Sequence, residues 1–212
     1  MAIHITREAV VEVRAPLKLA LGEIERFVKL KEGWIAKHLA VLSERAGERA
    51  VFALNYGDTV LVMGRPCAIT ACAGNRARYE EDCFYIPKFL DSEQIKAACV
   101  RLYKLIAKEE LVRRTAEYAR RMGVEPSAVK INSAATRWGS CSGQNSINFS
   151  WRLIMADEDV IDYVVVHELA HIAEHNHSDR FWAVVQSVLP DYRARQGRLK
   201  ALQAVLAKED WS

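Results

Sequence analysis

The chain has 212 residues, half of them hydrophobic, and its 30 lysines and arginines outnumber its 27 aspartates and glutamates by three. That length allows one hydrophobic core, or one core with a small additional domain, and the composition is typical of a folded protein. So slight a charge does not indicate a nucleic-acid partner, and no apolar stretch approaches the roughly 20 residues of a transmembrane helix.

The five cysteines are an odd number and include no C-x-x-C pair. The N-terminus has neither the apolar core nor the cleavage site of a secretory signal. These features predict free thiols in a reducing cytoplasm. Cys67, Cys72 and Cys99 are most simply explained as buried, small apolar residues.

Residues 1–90 are predicted to form an N-terminal α/β region with a small antiparallel sheet. Alternating apolar residues over 2–14 predict one or two short strands. Helical periodicity over 22–46 predicts two helices, with a break at Gly33 and an end at Gly47. The predicted strands of the sheet lie between turn signals, at 59–63, 67–72, 77–80 and 83–86.

Residues 91–212 are predicted to form a second domain, so that the whole chain has an α+β fold. A long helix begins at Asp91-Ser92 and ends near residue 122, where Gly123 follows. Its paired arginines, among them Arg113 and Arg114, are expected to form a solvated face. The later predicted elements are strands at 129–131 and 146–149, a helix that has acidic residues 157–159 at its start, and a C-terminal helix at 192–207.

The run His167-Glu168-Leu169-Ala170-His171 carries the strongest chemical signal in the chain. On a helix, residues four apart lie on the same face, so both imidazoles can bind one zinc ion. Glu168 lies beside them and can accept a proton from a metal-bound water. The run therefore predicts a zinc-dependent hydrolase, with His167 and His171 as ligands and Glu168 as the catalytic base.

A catalytic zinc site normally has three protein ligands, and the candidates for the third are Glu174, His175 and His177. His175 is eight residues from the first histidine, about 12 Å along a straight helix, so the chain must turn back before a third ligand can reach the ion. Asn176 is suited to the left-handed conformation that ends a helix, and Ser178 to the N-cap of a new one. His177, in the corner between the two helices, is therefore the predicted third ligand.

The sequence indicates the residues that contact a substrate less clearly than it indicates the metal ligands. Arg137 and Arg152 are candidates for stabilising a developing oxyanion, because both are expected in the strand region that flanks the metal helix. An ordinary salt bridge explains either arginine equally well. Cys141 is expected to be structural, since three histidines are available to bind the metal.

Several stretches resemble the YgjP-like metallopeptidase family, which belongs to the zincin group and is related to SprT-like peptidases. They are TRWGSCS at 136–142, INFSWRL at 147–153, the metal helix with NHS at 176–178 and FW at 181–182, and more weakly 13–16 and 31–35. The resemblance implies a zincin-like catalytic domain, the ligands His167, His171 and His177, and the base Glu168. It also implies cleavage of unstructured polypeptide, which could add as a strand along an edge within 140–148.

Two other functions fit the same residues. Zinc and arginines could instead hydrolyse a small substrate such as a nucleoside triphosphate, in the manner of a pyrophosphatase, although the chain has no glycine-rich phosphate loop. A non-catalytic zinc domain that binds a partner is the third alternative. Glu168 argues against it, because a structural site needs no base and usually has four protein ligands.

Overall fold

The computed structural model describes residues 1–6, 9–50 and 52–211, without the side chains of 45, 46 and 48–50. Its contacts divide the chain into two compact units, Met1–Phe52 with Val205–Asp210, and Ala53–Ala204 with Trp211. The domain division at residue 90 stays a prediction. Helices and small sheets together make an α+β fold, as predicted. None of the described helices is long and apolar enough to cross a membrane.

The first unit begins with a hairpin of two antiparallel strands, followed by two helices. The predicted helix break at Gly33 is wrong by two residues. The first helix ends at Leu30 and is capped by Lys31, whose amide donates to the carbonyl of Val28 at 3.0 Å. The second helix begins at Glu32 and continues past Gly47, where the sequence predicted its end. The elements are β1 (Ala2–Ile5), β2 (Val11–Arg14), α1 (Leu21–Leu30) and α2 (Glu32–Ala50).

Within the described residues, the rest of the chain supplies two further sheets, four further α-helices and one 3-10 helix. Its strands are β3 (Thr59–Val62), β4 (Arg65–Cys72), β5 (Arg78–Glu80), β6 (Cys83–Pro87), β7 (Ala128–Asn132), β8 (Gly139–Cys141) and β9 (Ser146–Ser150). Its helices are α3 (Ser92–Met122), a 3-10 helix (Trp151–Met155), α4 (Glu158–Ala173), α5 (Asp179–Val188) and α6 (Tyr192–Leu206).

The four-stranded sheet has the order β3-β4-β6-β5. It was predicted to be antiparallel, but β4 and β6 pair in parallel, so the sheet is mixed. The difference in burial between β6 and β5 explains why β6, and not β5, lies beside β4. Phe84 and Ile86 of β6 are fully buried, whereas the polar β5 has no buried residue and lies at the sheet edge. Cys67, Cys72 and Cys99 are buried, as predicted.

The turn between β3 and β4 packs on the start of α4. Met63 and Gly64 both have positive φ, 51° and 76°, which is the conformation of a type I′ hairpin turn. The amide of Met63 donates to the carbonyl of Ile154 at 2.6 Å. A Cβ added to Gly64 would lie 2.9 Å from the Cα of Asp157, so a residue with a side chain does not fit there without a shift.

We expect Gly64→Ala to lower the free energy of unfolding by at least about 1–2 kcal/mol, because the left-handed conformation alone costs an L-residue that much. Urea unfolding of the variant beside the natural protein measures the loss. Gly197→Ala is the matched control, since Gly197 lies within α6 and its added Cβ meets no atom within 4 Å. The control should be neutral or stabilising, by up to about 1 kcal/mol. Equal losses in both variants would contradict this account.

Helix α3 is the central element of the second unit and contacts α4, β6, β7 and the 3-10 helix. Both predicted ends are confirmed: Asp91 and Gln94 form a capping box, and Gly123 ends the helix with a φ of 66°. Tyr103, in the first half of the helix, is fully buried and packs edge-on against Phe84 at 5.2 Å. It also stacks on Trp151 at 5.4 Å. Through this tyrosine, α3 joins the four-stranded sheet to the 3-10 helix that precedes α4.

Arg114 of α3 holds the first turns of α4, contrary to the prediction of a solvated position. Its side chain is 7% exposed, and its guanidinium binds Asp162 at 2.7 Å, Glu158 at 2.9 Å and Glu110 at 3.2 Å. It also donates to the backbone carbonyl of Glu158. The neighbouring Arg113 is exposed, as predicted, so the prediction failed only for the arginine that faces α4.

The three-stranded sheet has the order β7-β9-β8, with β8 at one end and in contact with α4. Strands β8 and β9 are antiparallel, with Gly139 opposite Phe149. The sequence predicted β7 and β9 as strands and suggested only that an edge lay within 140–148. The sheet thus brings the backbone of residues 139–141 alongside the helix that carries the histidines.

Candidate metal centre

The chain turns sharply between α4 and α5, and this turn brings distant histidines together. Helix α4 ends at Ala173, and Glu174 has an extended backbone with φ −138° and ψ 105°. Asn176 does not have the predicted left-handed conformation, because the chain has already left the helix before it. Ser178 is the N-cap of α5, as predicted, and accepts a hydrogen bond from the amide of Phe181 at 3.3 Å.

His167 and His171 on α4 and His177 in the turn have their side chains gathered at one point. One ligand atom from each lies within 4.8 Å of the others, and no second such group of three metal-binding side chains occurs among the residues described. The Nε2 atoms of His167 and His177 lie 3.1 Å apart. Two ring nitrogens at that distance must share a proton or a cation. This cluster, which we call the histidine cluster, could therefore hold a metal ion.

The rings are suited to offering lone pairs. Burial, with the neighbouring His171 and His177, lowers the pKa of His167 to about 3, so this imidazole is neutral at physiological pH. Burial also lowers the pKa of His171. The Nδ1 of His171 lies 3.3 Å from the carbonyl oxygen of Glu174 and can donate to it, which leaves its Nε2 as an acceptor. His167 Nδ1 is buried and has no hydrogen-bond partner within the described residues.

An aromatic side chain that the sequence analysis did not predict supports all three rings. Phe181 is fully buried, and its ring centroid lies 4.5–5.0 Å from those of His167, His171 and His177. Trp182 stacks on His177 at 5.8 Å. The sequence does hold a local signal for the contact between His177 and Trp182. His177 directly precedes the N-cap of α5 and Trp182 is the fourth residue of that helix, and side chains at these two positions commonly pack together.

Glu168 points from α4 toward strand β8. Its residue is only 6% exposed, and burial raises the pKa of its carboxyl to about 7, although the charge of Arg137 opposes the shift. A Cβ added to Gly139 would lie 2.6 Å from its Oε1 atom. Cys141, two residues further along β8, is half-buried, and burial together with the charge of Glu168 raises the pKa of its thiol. The thiol is not part of the histidine cluster.

The two candidate arginines occupy different surroundings. Arg137 is exposed and close enough to Glu168 for its charge to act on that carboxyl. Arg152 donates to the backbone carbonyls of Ser133 at 3.0 Å and Trp211 at 3.4 Å, and its guanidinium lies over the ring of Trp151. These contacts link the segments around Ser133 and Trp211 to the 3-10 helix. That Arg152 contacts a substrate stays a prediction.

Comparison with known proteins identifies one family. The model of the YgjP-like, metallopeptidase domain matches residues 1–202. Among solved structures, the metallopeptidase zymogen of Pyrococcus abyssi abylysin is similar with a TM-score of 0.40 and 21% sequence identity, over 43% of this chain and 92% of that one. So low a similarity supports no inference about function. No curated protein matches the chain.

Proposed function

Because the chain belongs to the YgjP-like metallopeptidase family and is therefore a metallopeptidase-type hydrolase, we propose that it is a zinc peptidase that cleaves unstructured polypeptide. His167, His171 and His177 would hold the ion, and Glu168 would act as the general base. The observation that carries the proposal is the convergence of His177, from the turn, with the two histidines of α4, the helix that also carries the buried carboxyl of Glu168.

The donor set of the histidine cluster fits zinc. Neutral imidazole nitrogens are preferred zinc ligands, and three of them leave a fourth position for water or substrate. The low pKa of His167 and the contact from His171 Nδ1 to the Glu174 carbonyl both favour rings with a free lone pair. No thiolate or carboxylate joins the cluster among the described residues, which distinguishes it from the closed, cysteine-rich shells of structural sites.

When bound, zinc would lower the pKa of a water molecule and polarise the carbonyl under attack. Glu168 would accept the proton of the attacking water on its carboxylate and return it to the leaving amine. Burial suits this carboxyl to both steps, because a pKa near the working pH lets a group accept a proton and release it again. Arg137 would keep part of the Glu168 population ionised through its nearby charge.

The substrate would bind in an extended conformation along β8. This strand ends the order β7-β9-β8, and within the described residues no strand pairs with its other side. A polypeptide without secondary structure can form main-chain hydrogen bonds to such an edge, because its own backbone groups are not already paired. Because β8 contacts α4, a chain bound there would pass beside the helix that carries Glu168.

All five cysteines are free thiols, which supports a reducing compartment such as the cytoplasm.

We expect the zinc-loaded protein to cleave a reduced and carboxymethylated polypeptide, and chelation to abolish cleavage until zinc is restored. The experiment supplies that polypeptide and nucleoside triphosphates in one mixture and follows both by mass spectrometry.

Arg137 supports the alternative of a nucleotide hydrolase, since an exposed arginine close to the base can bind phosphate. Loss of nucleotide without peptide cleavage would establish that alternative, and turnover of neither substrate would contradict both.

A further inference from the structure

Gly139 lies directly against the side chain of Glu168. A Cβ built on this glycine would lie 2.6 Å from Oε1, 2.7 Å from Cγ and 2.8 Å from Cδ of the glutamate. All three distances are shorter than a carbon atom tolerates. The φ of Gly139 is not in the left-handed region, so alanine is excluded here by space and not by backbone conformation.

Neither partner in this contact can easily withdraw. Strand β8 is fixed because Gly139 pairs with Phe149, which is fully buried, and because the carbonyl of Trp138 accepts a hydrogen bond from the amide of Ser150 at 2.8 Å. Glu168 is fixed at its backbone, since it lies within α4 and the residues that follow it, Leu169 and Ala170, are fully buried. A side chain at position 139 would therefore have to displace the Glu168 carboxyl itself.

We propose that Gly139 is a positioning residue for the catalytic base: its bare backbone forms the wall that fixes the carboxyl of Glu168. A glutamate side chain has several rotatable bonds and loses considerable rotamer freedom when it is held in one orientation. Contact with rigid strand backbone restricts that freedom before any substrate binds. This inference rests on the proposed role of Glu168. It adds that strand β8 determines the position of the Glu168 carboxyl.

The contact is tested by melting temperature, independently of activity. Gly139→Ala should lower the melting temperature of the zinc-free protein by at least roughly 2–4 °C, because the added methyl group clashes with Glu168. In a Glu168→Ala background the same substitution should have no effect, since the clashing atoms are gone. Gly143→Ala, in the turn after β8 with no atom within 4 Å of the added Cβ, should leave both backgrounds unchanged. Equal losses in both backgrounds would overturn the contact.

The positioning role is tested by steady-state kinetics on the carboxymethylated polypeptide. Gly139→Ala should lower kcat by about 10–100-fold, since a misplacement of about 1 Å can cost that much, while KM and zinc content stay near those of the natural protein. In a Glu168→Gln background it should cause no further loss. An unchanged kcat, or an equal further loss in that background, would overturn the proposal. A natural protein without turnover would refute the proposed function, whereas the thermal result would still stand.

Discussion

Glu168→Gln should lower the rate of polypeptide cleavage by about 10²–10⁴-fold and leave the zinc content unchanged. The amide cannot accept a proton from the attacking water, and general base catalysis typically contributes that factor. Glutamine keeps the size of the side chain, so its packing against Gly139 should be preserved. Zinc content should not change, because the three histidines supply the proposed ligands. Single-turnover kinetics and metal analysis of the same preparations measure both quantities.

The matched control for this substitution is Glu125→Gln, which makes the same change of charge at an exposed residue after α3. It should leave both rate and zinc content unaltered. If Glu168→Gln lost its zinc together with its activity, Glu168 would be needed for the metal site and not only for proton transfer. If the variant kept full activity, the proposed base would be wrong.

Arg114→Met should lower the free energy of unfolding by about 1.5–3 kcal/mol, because the charge-assisted hydrogen bonds of a buried guanidinium to partly exposed carboxylates are lost. The substitution would leave Glu110, Glu158 and Asp162 close together without their shared cation. Glu158 and Asp162 belong to the first turns of α4, so the loss should be felt at the start of the helix that carries the histidines. Urea unfolding followed by circular dichroism gives the change.

Arg113→Met is the control that separates the effect of burial from the effect of losing one positive charge. Arg113 also pairs with Glu110, at 2.7 Å, but its side chain is 55% exposed. Exposed ion pairs contribute at most about 1 kcal/mol, so this neighbour should cost no more than that. Comparable losses in the two variants would show that the buried position of Arg114 contributes nothing extra to stability.

The features that the sequence predicted well are those that depend on neighbouring residues. His167 and His171 share a face because of helical geometry alone, and Ser178 caps a helix through a bond to an amide three residues away. The capping box at Asp91 and the left-handed Gly123 follow the same rule. His177 could be selected as the partner of the other two histidines because a local turn was enough to bring it near them.

The features that the sequence did not predict depend on residues far apart in the chain. The parallel pairing of β4 with β6 follows from which strand buries more apolar surface, which a single strand does not reveal. Arg113 and Arg114 look alike in sequence, and only the packing of α4 on α3 makes one of them buried. Gly139 and Glu168 lie in different elements, so their contact has no local signature.

If the histidine cluster holds the proposed ion, the turn between α4 and α5 makes the stability of the fold depend on the concentration of free metal. His167 and His177 are ten residues apart in sequence, and only the folded chain brings their Nε2 atoms to 3.1 Å. An ion that requires all three histidines binds the native state and not the unfolded chain, so each tenfold rise in free ion above its dissociation constant stabilises the protein by about 1.4 kcal/mol. The melting temperature of the protein should therefore rise with the concentration of free zinc, and by less in a His177→Ala variant, which lacks one of the proposed ligands.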